Sequence, residues 1–197
     1  MKTNQITLPM FPLNLVLLPG ETSKLYIFEQ RYRQMVEDCL RNDASFGVPY
    51  IERGEIKDYG SELKIKRILK TYDNGSMDVL VEGVRLFKLC SFKEVLSPKL
   101  YGAGTIAPLE SEPRVILNNL QDAVVNYYNT VEEKLIDYET VSKLTIYSVA
   151  ANLQLSAPEK FRLITSANQQ QYLLNILNFH LHVLRCEQQL KGRFAEN

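Results

Sequence analysis

In the first half of the chain, apolar residues occur in short runs that turn residues separate, which is the pattern of β-strands. Two of these runs, at residues 13–18 and 25–28, flank Pro19-Gly20. Proline lacks an amide donor and glycine tolerates a positive φ, so this pair predicts a turn between two strands. Further strands are predicted at residues 46–51, 61–72, 77–82 and 84–95.

One stretch of the first half has helical spacing instead. Residues 30–42 place apolar side chains three and four positions apart, with polar residues between them. These side chains are Tyr32, Met35, Val36, Cys39 and Leu40. The segment therefore predicts one amphipathic helix inserted among the strands.

Two glycine positions predict features within the strands. Asn74-Gly75 separates two alternating apolar segments, and both residues tolerate the positive φ of a type I′ turn, so a β-hairpin is predicted there. Gly83 interrupts the apolar run between residues 77 and 95. It predicts a bulge or a sharp bend.

Residues 98–113 contain two glycines and three prolines, and beyond them the spacing of apolar residues becomes helical. The sequence thus predicts a β-rich domain over residues 1–110 and a helical domain over residues 111–197. Helices are predicted at residues 114–136, 140–155, 159–165 and 169–191. Ser156 and Glu159 form a capping-box pattern before the third helix, and the last helix is expected to end before Gly192.

Composition and charge weigh against several classes of protein. The chain has 197 residues, with 23 basic and 23 acidic side chains and a formal net charge of zero. Duplex binding usually requires a basic excess, so nucleic acid is not the expected partner. No apolar run reaches the ~18 residues of a membrane span, and no signal-peptide pattern opens the chain. A cytoplasmic location without membrane association is therefore expected.

The potential metal ligands are poorly placed for binding. The three cysteines, Cys39, Cys90 and Cys186, form no C-x-x-C pair. His180 and His182 lie two positions apart on a predicted helix, so they point in nearly opposite directions. We therefore expect no metal site.

The first apolar segments resemble a known family. The strings FPL at residues 11–13, VLLPG at 16–20 and IFEQRY at 27–32 match the opening of the Lon N-terminal domain, the substrate-recognition module of ATP-dependent Lon proteases. A second match follows in the same order and spacing, at Gly60, Ile65, Asp73, Gly75, Val79, Val81, Gly83, Arg85 and Phe87. The resemblance implies an α+β fold, with a PUA-like β pseudo-barrel that has an inserted helix, followed by a C-terminal α-helical bundle.

The resemblance covers only the recognition part of those proteases. Their ATPase requires G-x-x-x-x-G-K-[ST], in which backbone amides cradle phosphates, and this string is absent from the sequence. Their peptidase requires a serine in a tight loop beside a lysine of lowered pKa, and nothing resembling that loop occurs. We expect no enzymatic activity, no catalytic residue and no cofactor.

Six residues in the matching segments are candidates for contact with a partner: Glu29, Arg31, Tyr32, Arg33, Arg85 and Phe87. Arginine and tyrosine often anchor interfaces, and four of the six lie at a strand-to-helix junction. The alternative interpretation is structural. Glu29 at the helix start would favour the helix dipole, and Arg31 would pair with it or satisfy a loop carbonyl.

The resemblance implies a non-catalytic module that binds unfolded or exposed hydrophobic segments of other proteins. It would act as an adaptor or holdase, with a separately encoded protease as a further partner. An exposed strand edge or apolar patch would suit such capture. The alternative is an RNA- or nucleotide-binding domain, because PUA-like folds also occur in RNA-binding proteins. Its support is the basic run Lys64, Lys66, Arg67 and Lys70. A small-molecule pocket in the barrel is a third option.

Overall fold

The computed structural model of the chain describes residues 5–109, 113–131 and 135–195, with residues 187–195 as helical backbone. The chain divides into two units, which comprise Met1–Ser111 with Gln154–Arg162, and Glu112–Leu153 with Leu163–Asn197. The domain boundary that the sequence predicts, between residues 110 and 111, lies outside the described residues and stays a prediction. The segment Gln154–Arg162, which the sequence places in the helical half, groups with the first unit.

Six strands form one sheet in the first unit. They are β1 (Ile6–Met10), β2 (Thr22–Ile27), β3 (Phe46–Glu52), β4 (Glu55–Thr71), β5 (Met77–Lys93) and β6 (Gly102–Pro108). The strand order is β2-β5-β4-β3-β1-β6, and an additional pairing between β5 and β6 closes all strands except β2 into a ring. This ring is the pseudo-barrel, and β2 extends the sheet beside it. The predicted α+β fold class is confirmed.

The ring closes because β4 and β5 are long, with 17 residues each. The first part of β5 pairs with β2, and its last part pairs with β6. The β4–β5 register shifts in the middle, where Leu63 pairs with Gly83 but Glu62 pairs with Arg85. The two strands predicted at 77–82 and 84–95 are therefore one bulged strand. A Cβ atom on Gly83 would collide with the carbonyl oxygen of Leu18 and lie 3.2 Å from that of Leu17, so only glycine lets the 17–18 backbone pass this closely.

One prediction made from an apolar run is wrong, and strand β6 has no counterpart among the predicted elements. Residues 13–18 form no strand, although Leu17 and Leu18 are buried. Their amides bond to side chains instead, Leu17 N to Ser61 Oγ at 3.0 Å and Leu18 N to Glu21 Oε2 at 2.7 Å. The Gly- and Pro-rich segment 98–113, for which the sequence predicts no element, contains β6, which pairs with β1 and β5.

The predicted hairpin joins β4 and β5, but its turn type differs from the prediction. Gly75 has a φ of +77°, whereas Asn74 is not among the residues with positive φ. Gly75 N donates to Tyr72 O at 2.8 Å, and Tyr72 N donates to Ser76 O at 2.9 Å. This is a type I turn followed by a left-handed glycine, so the type I′ prediction is wrong.

The inserted helix α1 (Gln30–Arg41) lies where the sequence predicts it. It buries Tyr32, Met35 and Val36 in a cluster that includes Val48 of β3 and Val79 of β5. A second, smaller cluster contains the buried residues Leu8, Met10, Phe87 and Ile106. The amphipathic spacing that predicted α1 therefore also identified most of the face that it buries, and Leu40 is the exception, because it is exposed.

The second unit is helical. The chain beyond β6 forms α2 (Asn118–Val131), α3 (Tyr138–Lys143), α4 (Ile146–Ala151), α5 (Ala157–Thr165) and α6 (Gln169–Ala195), and α5 begins within the segment that groups with the first unit. The unit's core draws on α2, α4 and α6 and includes Leu120, Val124, Ile146, Val149, Leu173 and Leu177. The predicted helices exist here with different limits.

Local capping explains the largest of these differences. The helix predicted over residues 140–155 is two helices, because Leu144 and Thr145 are extended, with ψ values of 147° and 157°. Ser148 N donates to Thr145 Oγ1 and Thr145 N donates to Ser148 Oγ, both at 3.0 Å, which is a capping box that starts a new helix. The last helix continues through Gly192, so its predicted end is wrong.

One of the two hydrogen bonds of the capping box predicted before α5 is present. Ser156 N donates to Glu159 Oε2 at 2.8 Å, as a capping box requires. The Ser156 hydroxyl donates to the same carboxylate, at 2.6 Å, where the prediction had it meet a backbone amide. At α6, Asn168 is the cap, since its Oδ1 accepts from Gln171 N at 3.1 Å.

Candidate functional site

The start of α1 holds four of the six candidate residues. Glu29 is the N-cap residue, with an extended backbone, and its carbonyl oxygen accepts from Tyr32 N at 3.1 Å and Arg33 N at 3.0 Å. Its carboxylate accepts from Arg31 Nε at 2.8 Å. The Arg31 guanidinium also lies over the Tyr32 ring, 4.5 Å from its centroid. Of the two structural contacts that the sequence offers for Arg31, the structure shows the pairing with Glu29.

The next two residues connect α1 to the rest of its unit. Tyr32 is buried and stacks on Phe11 with 3.8 Å between ring centroids, and burial raises the pKa of its hydroxyl. Arg33 Nη1 donates to Asn74 O at 3.0 Å, which ties the helix to the β4–β5 turn. These contacts give both residues a structural role.

The structure does not bring Arg85 and Phe87 to this helix start. Arg85 makes a two-point contact with Glu62, from Nε to Oε2 at 2.6 Å and from Nη2 to Oε1 at 3.3 Å. Glu62 is almost fully buried, so Arg85 supplies the charge that its carboxylate needs. Phe87 has no exposed surface and packs with Met10 in the smaller core cluster. Contact of Arg85 and Phe87 with a partner stays a prediction. The ion pair with Glu62 and the packing against Met10 give these two residues of the second matching segment a structural role.

A surface groove lies beside the start of α1. Its volume is about 290 Å³, and its walls combine residues from several distant segments of the first unit. The lining residues are Met10, Pro12, Arg31, Tyr32, Ile51, Gly54, Ile56, Phe92, Glu94 and Gly102. Two of the six candidate residues, Arg31 and Tyr32, are thus part of a concave, accessible surface.

The groove has a mixed lining, with apolar side chains, polar atoms and charges of both signs. Met10, Pro12, Ile51, Ile56 and Phe92 provide aliphatic and aromatic walls, and Ile56 is 37% exposed. Arg31 and Glu94 are its charged lining residues. The volume is at the small end of ligand sites, which suits one or two side chains of a peptide. Sequence reasoning found only the α1 side of this groove, because the other walls come from residues far apart in the chain.

The basic run that supports RNA binding is partly neutralised. The ammonium group of Lys64 lies 2.9 Å from Asp43 Oδ1, and that of Lys66 lies 2.8 Å from Glu82 Oε2. Lys70 instead lies over the Tyr72 ring, 4.4 Å from its centroid. Phosphate binding would have to compete with the two ion pairs.

Other classes of site were sought among the described residues. Those residues contain no group of three or more histidine, cysteine, aspartate or glutamate side chains placed to hold a metal ion. None of the described helices has the length and apolar character that a membrane crossing requires.

A ring of strands with one inserted helix and a helical region after it is the fold of Lon N-terminal domains. The crystal structure of a Lon N-terminal domain protein from Xanthomonas campestris matches with a TM-score of 0.68 and 25% identity, over 88% of this chain and 98% of that chain. The N-terminal domain of Mycobacterium avium complex Lon protease matches with a TM-score of 0.63 and 12% identity, over 88% of this chain and 97% of that one.

The family follows from the sequence match. The family model of the ATP-dependent protease La (Lon) substrate-binding domain matches residues 7–189. The chain belongs to this family, and the resemblance read from its motifs is confirmed. A comparison with curated proteins found no match.

Proposed function

We propose that this chain is a non-catalytic recognition module that binds exposed apolar segments of unfolded proteins in the groove beside α1. The observation that carries this proposal is the groove itself, with apolar walls and with Arg31 and Glu94 among its lining residues. Membership of a substrate-binding family supports a role in which the bound molecule is a protein.

The groove offers a bound segment two kinds of contact. An apolar side chain would enter between Ile51, Ile56 and Phe92 and lose its contact with water, which favours binding. Arg31 is held through its Nε by Glu29, and its two terminal nitrogens would donate to carbonyl oxygens of the segment. Recognition of this kind depends on apolar character and an extended backbone and does not require one particular sequence.

Such a module would act as an adaptor or holdase in the cytoplasm. In the adaptor role it would deliver the bound protein to a separately encoded protease. In the holdase role it would keep apolar segments from aggregating until they refold.

Binding to reduced, carboxymethylated α-lactalbumin, which stays unfolded in buffer, tests the proposal. We expect Ile56→Glu to weaken binding about tenfold, because it places a charge in an apolar wall. Ile116→Glu is the matched control, since Ile116 is an exposed isoleucine of the helical unit and should bind like the wild type.

The same binding titration would also show whether the proposed function is wrong. Equal binding by both variants would place the contact elsewhere, and no binding by the wild type would remove the proposed function. Salt-sensitive binding of RNA in place of the unfolded protein would favour the alternative function.

A further inference from the structure

The outer edge of β2 is an unpaired strand edge. β2 pairs with β5 along one side, and no other described strand pairs with it. Gly83 N donates to Glu21 O at 2.8 Å just before β2 begins. Because bonded pairs alternate along an antiparallel ladder, Ser23, Leu25 and Ile27 bond to β5, and the main-chain groups of the residues between them point outward.

The outward residues are Thr22, Lys24 and Tyr26. By this alternation their main-chain groups point away from β5, no described strand lies beside them, and their side chains are exposed. Lys24 and Tyr26 therefore offer donors and acceptors at the spacing that an added strand requires.

The β2 edge lacks the features that usually prevent an edge strand from pairing with another strand. Edge strands commonly carry a lysine whose charge, when buried by a second strand, opposes pairing. β2 has one lysine, Lys24, and its ammonium lies 2.8 Å from Asp78 Oδ2. The side chain is thus directed over β5, and its charge is compensated without a partner. β2 also contains no proline or bulge.

An aromatic surface continues the edge. Tyr26 and Phe28 are 52% and 61% exposed, and their rings stack with 5.8 Å between centroids. Tyr26 also meets Tyr72 edge-on at 5.9 Å. Exposed, ordered aromatic rings beside free main-chain groups are typical of surfaces that bind extended peptides.

The charges on this face indicate the partner. Tyr26, Asp78 and Lys70 form one row across the sheet, and Lys24, Leu80 and Arg67 form the next. Lys66 and Glu82 pair with each other on the same face. Arg67 and Lys70 have no carboxylate within ion-pair distance among the described residues, so the face carries an excess of positive charge that an acidic partner would complement.

We propose that the outer edge of β2 binds an extended, acidic protein segment with aromatic or β-branched residues at alternate positions, which adds to the sheet as a further strand. This site is separate from the groove and goes beyond the proposed function. A peptide is favoured over RNA because strand addition uses main-chain donors and acceptors in alternation, whereas three of the five basic side chains in and beside this face, Lys24, Lys64 and Lys66, are held by carboxylates.

The test uses a fluorescein-labelled octapeptide that alternates glutamate with valine and tyrosine. A second peptide has lysine in place of each glutamate. We expect the acidic peptide to bind the full chain at least about tenfold more tightly, and the difference to shrink as salt is added. Equal affinities for the two peptides would overturn the charge argument and the proposal with it.

A matched pair of variants tests the main-chain contact. Lys24→Thr removes the charge and keeps the amide, whereas Lys24→Pro also removes an outward amide and leaves the β2–β5 ladder in place. We expect Lys24→Pro to bind the acidic peptide about five- to tenfold more weakly than Lys24→Thr. Equal binding by the two variants would overturn strand addition.

Amide hydrogen exchange keeps the test valid if Lys24→Pro does not fold. In the wild type, the acidic peptide should slow exchange at the amides of Lys24 and Tyr26 about tenfold or more. Unchanged exchange at both amides, or displacement of the peptide by an octamer of uridylate, would overturn the proposal. Ile56→Glu should bind the octapeptide like the wild type, so failure of the groove and failure of the edge are distinguishable.

Discussion

Lys160 and Glu21 lie 139 positions apart and form a bidentate ion pair, with the Lys160 ammonium 2.6 Å from Oε1 and 2.7 Å from Oε2 of Glu21. Both side chains are mostly buried, with 10% and 11% of their surface exposed. The same carboxylate accepts from Leu18 N. The contact therefore anchors the first part of α5 to the Pro19-Gly20 turn, within one unit of the structure.

Neutralising one member of this pair should destabilise the protein. Glu21→Gln leaves the Lys160 ammonium buried without its counter-charge, and we expect a loss of about 2–4 kcal/mol in the free energy of unfolding in urea. The double variant Glu21→Gln with Lys160→Met should recover much of this loss. Glu139→Gln, at an exposed pair with Lys143, is the control and should behave like the wild type.

Gly83→Ala tests the close passage of two backbone segments. A Cβ at this position would contact the carbonyl oxygens of Leu17 and Leu18, which are backbone atoms and cannot rotate away. We expect a loss of at least about 2 kcal/mol in the free energy of unfolding. Val84→Ala, at the exposed neighbouring position, should cost much less. A Gly83→Ala variant as stable as the wild type would contradict the observed passage.

Asp38 should contribute a pH-dependent part of the stability. Hydrogen bonds from Lys99 and Tyr101 lower the pKa of this carboxyl below its ordinary value of 3.8. A lowered folded-state pKa stabilises the fold above the unfolded-state pKa, and that contribution is lost as the pH falls through the folded-state value. Asp38→Asn should cost about 1–2 kcal/mol at pH 7.

Measurements over a range of pH distinguish the contribution of Asp38 ionisation from a loss of packing in Asp38→Asn. The difference in unfolding free energy between wild type and Asp38→Asn should shrink as the pH is lowered from 5 toward 2, measured by urea unfolding at each pH. A difference that stays constant over this range would show that ionisation of Asp38 does not contribute.

The three cysteines should differ in reactivity. Cys39 is buried, and burial raises the pKa of its thiol to about 11, whereas Cys90 and Cys186 are exposed. With a disulfide reagent at pH 8, we expect Cys90 and Cys186 to react quickly and Cys39 to react only after denaturant is added. Equal rates for all three thiols would contradict the burial of Cys39.

Local signals predicted the parts of the fold that depend on neighbouring residues. The spacing of Tyr32, Met35 and Val36 predicts α1 and its buried face, because a helix repeats every few residues. Asn74-Gly75 predicts the hairpin for a similar reason, although hydrogen bonds within the loop select its turn type.

Hydrogen-bond partners outside each segment explain the wrong strand prediction and the two strands that the sequence did not predict. Residues 13–18 are apolar enough for a strand, but Ser61 and Glu21 satisfy the amides of Leu17 and Leu18, so no strand pairing is needed. β1 and β6 are short, and they form because each finds a neighbouring strand in the closed ring.

Some residues of the groove could be predicted from the sequence, and others are recognisable only in the structure. The motif at the start of α1 identified Arg31 and Tyr32, since a strand-to-helix junction with charged and aromatic residues is visible in the sequence. Ile51, Ile56 and Phe92 carry no such signal, because each is an ordinary strand residue until the ring places them around one groove.

By itself, the sequence determined the α+β class, the inserted helix, the hairpin and the family, because periodicity, turn chemistry and motif spacing are properties of nearby residues. Only the tertiary structure decided that five of the strands close into a ring, that Lys160 meets Glu21, and that the surface has a groove and a β2 edge that pairs with no described strand. The physical reason is that these features require contacts between residues far apart in the chain, which form only when the whole unit buries its apolar side chains and satisfies its main-chain hydrogen bonds.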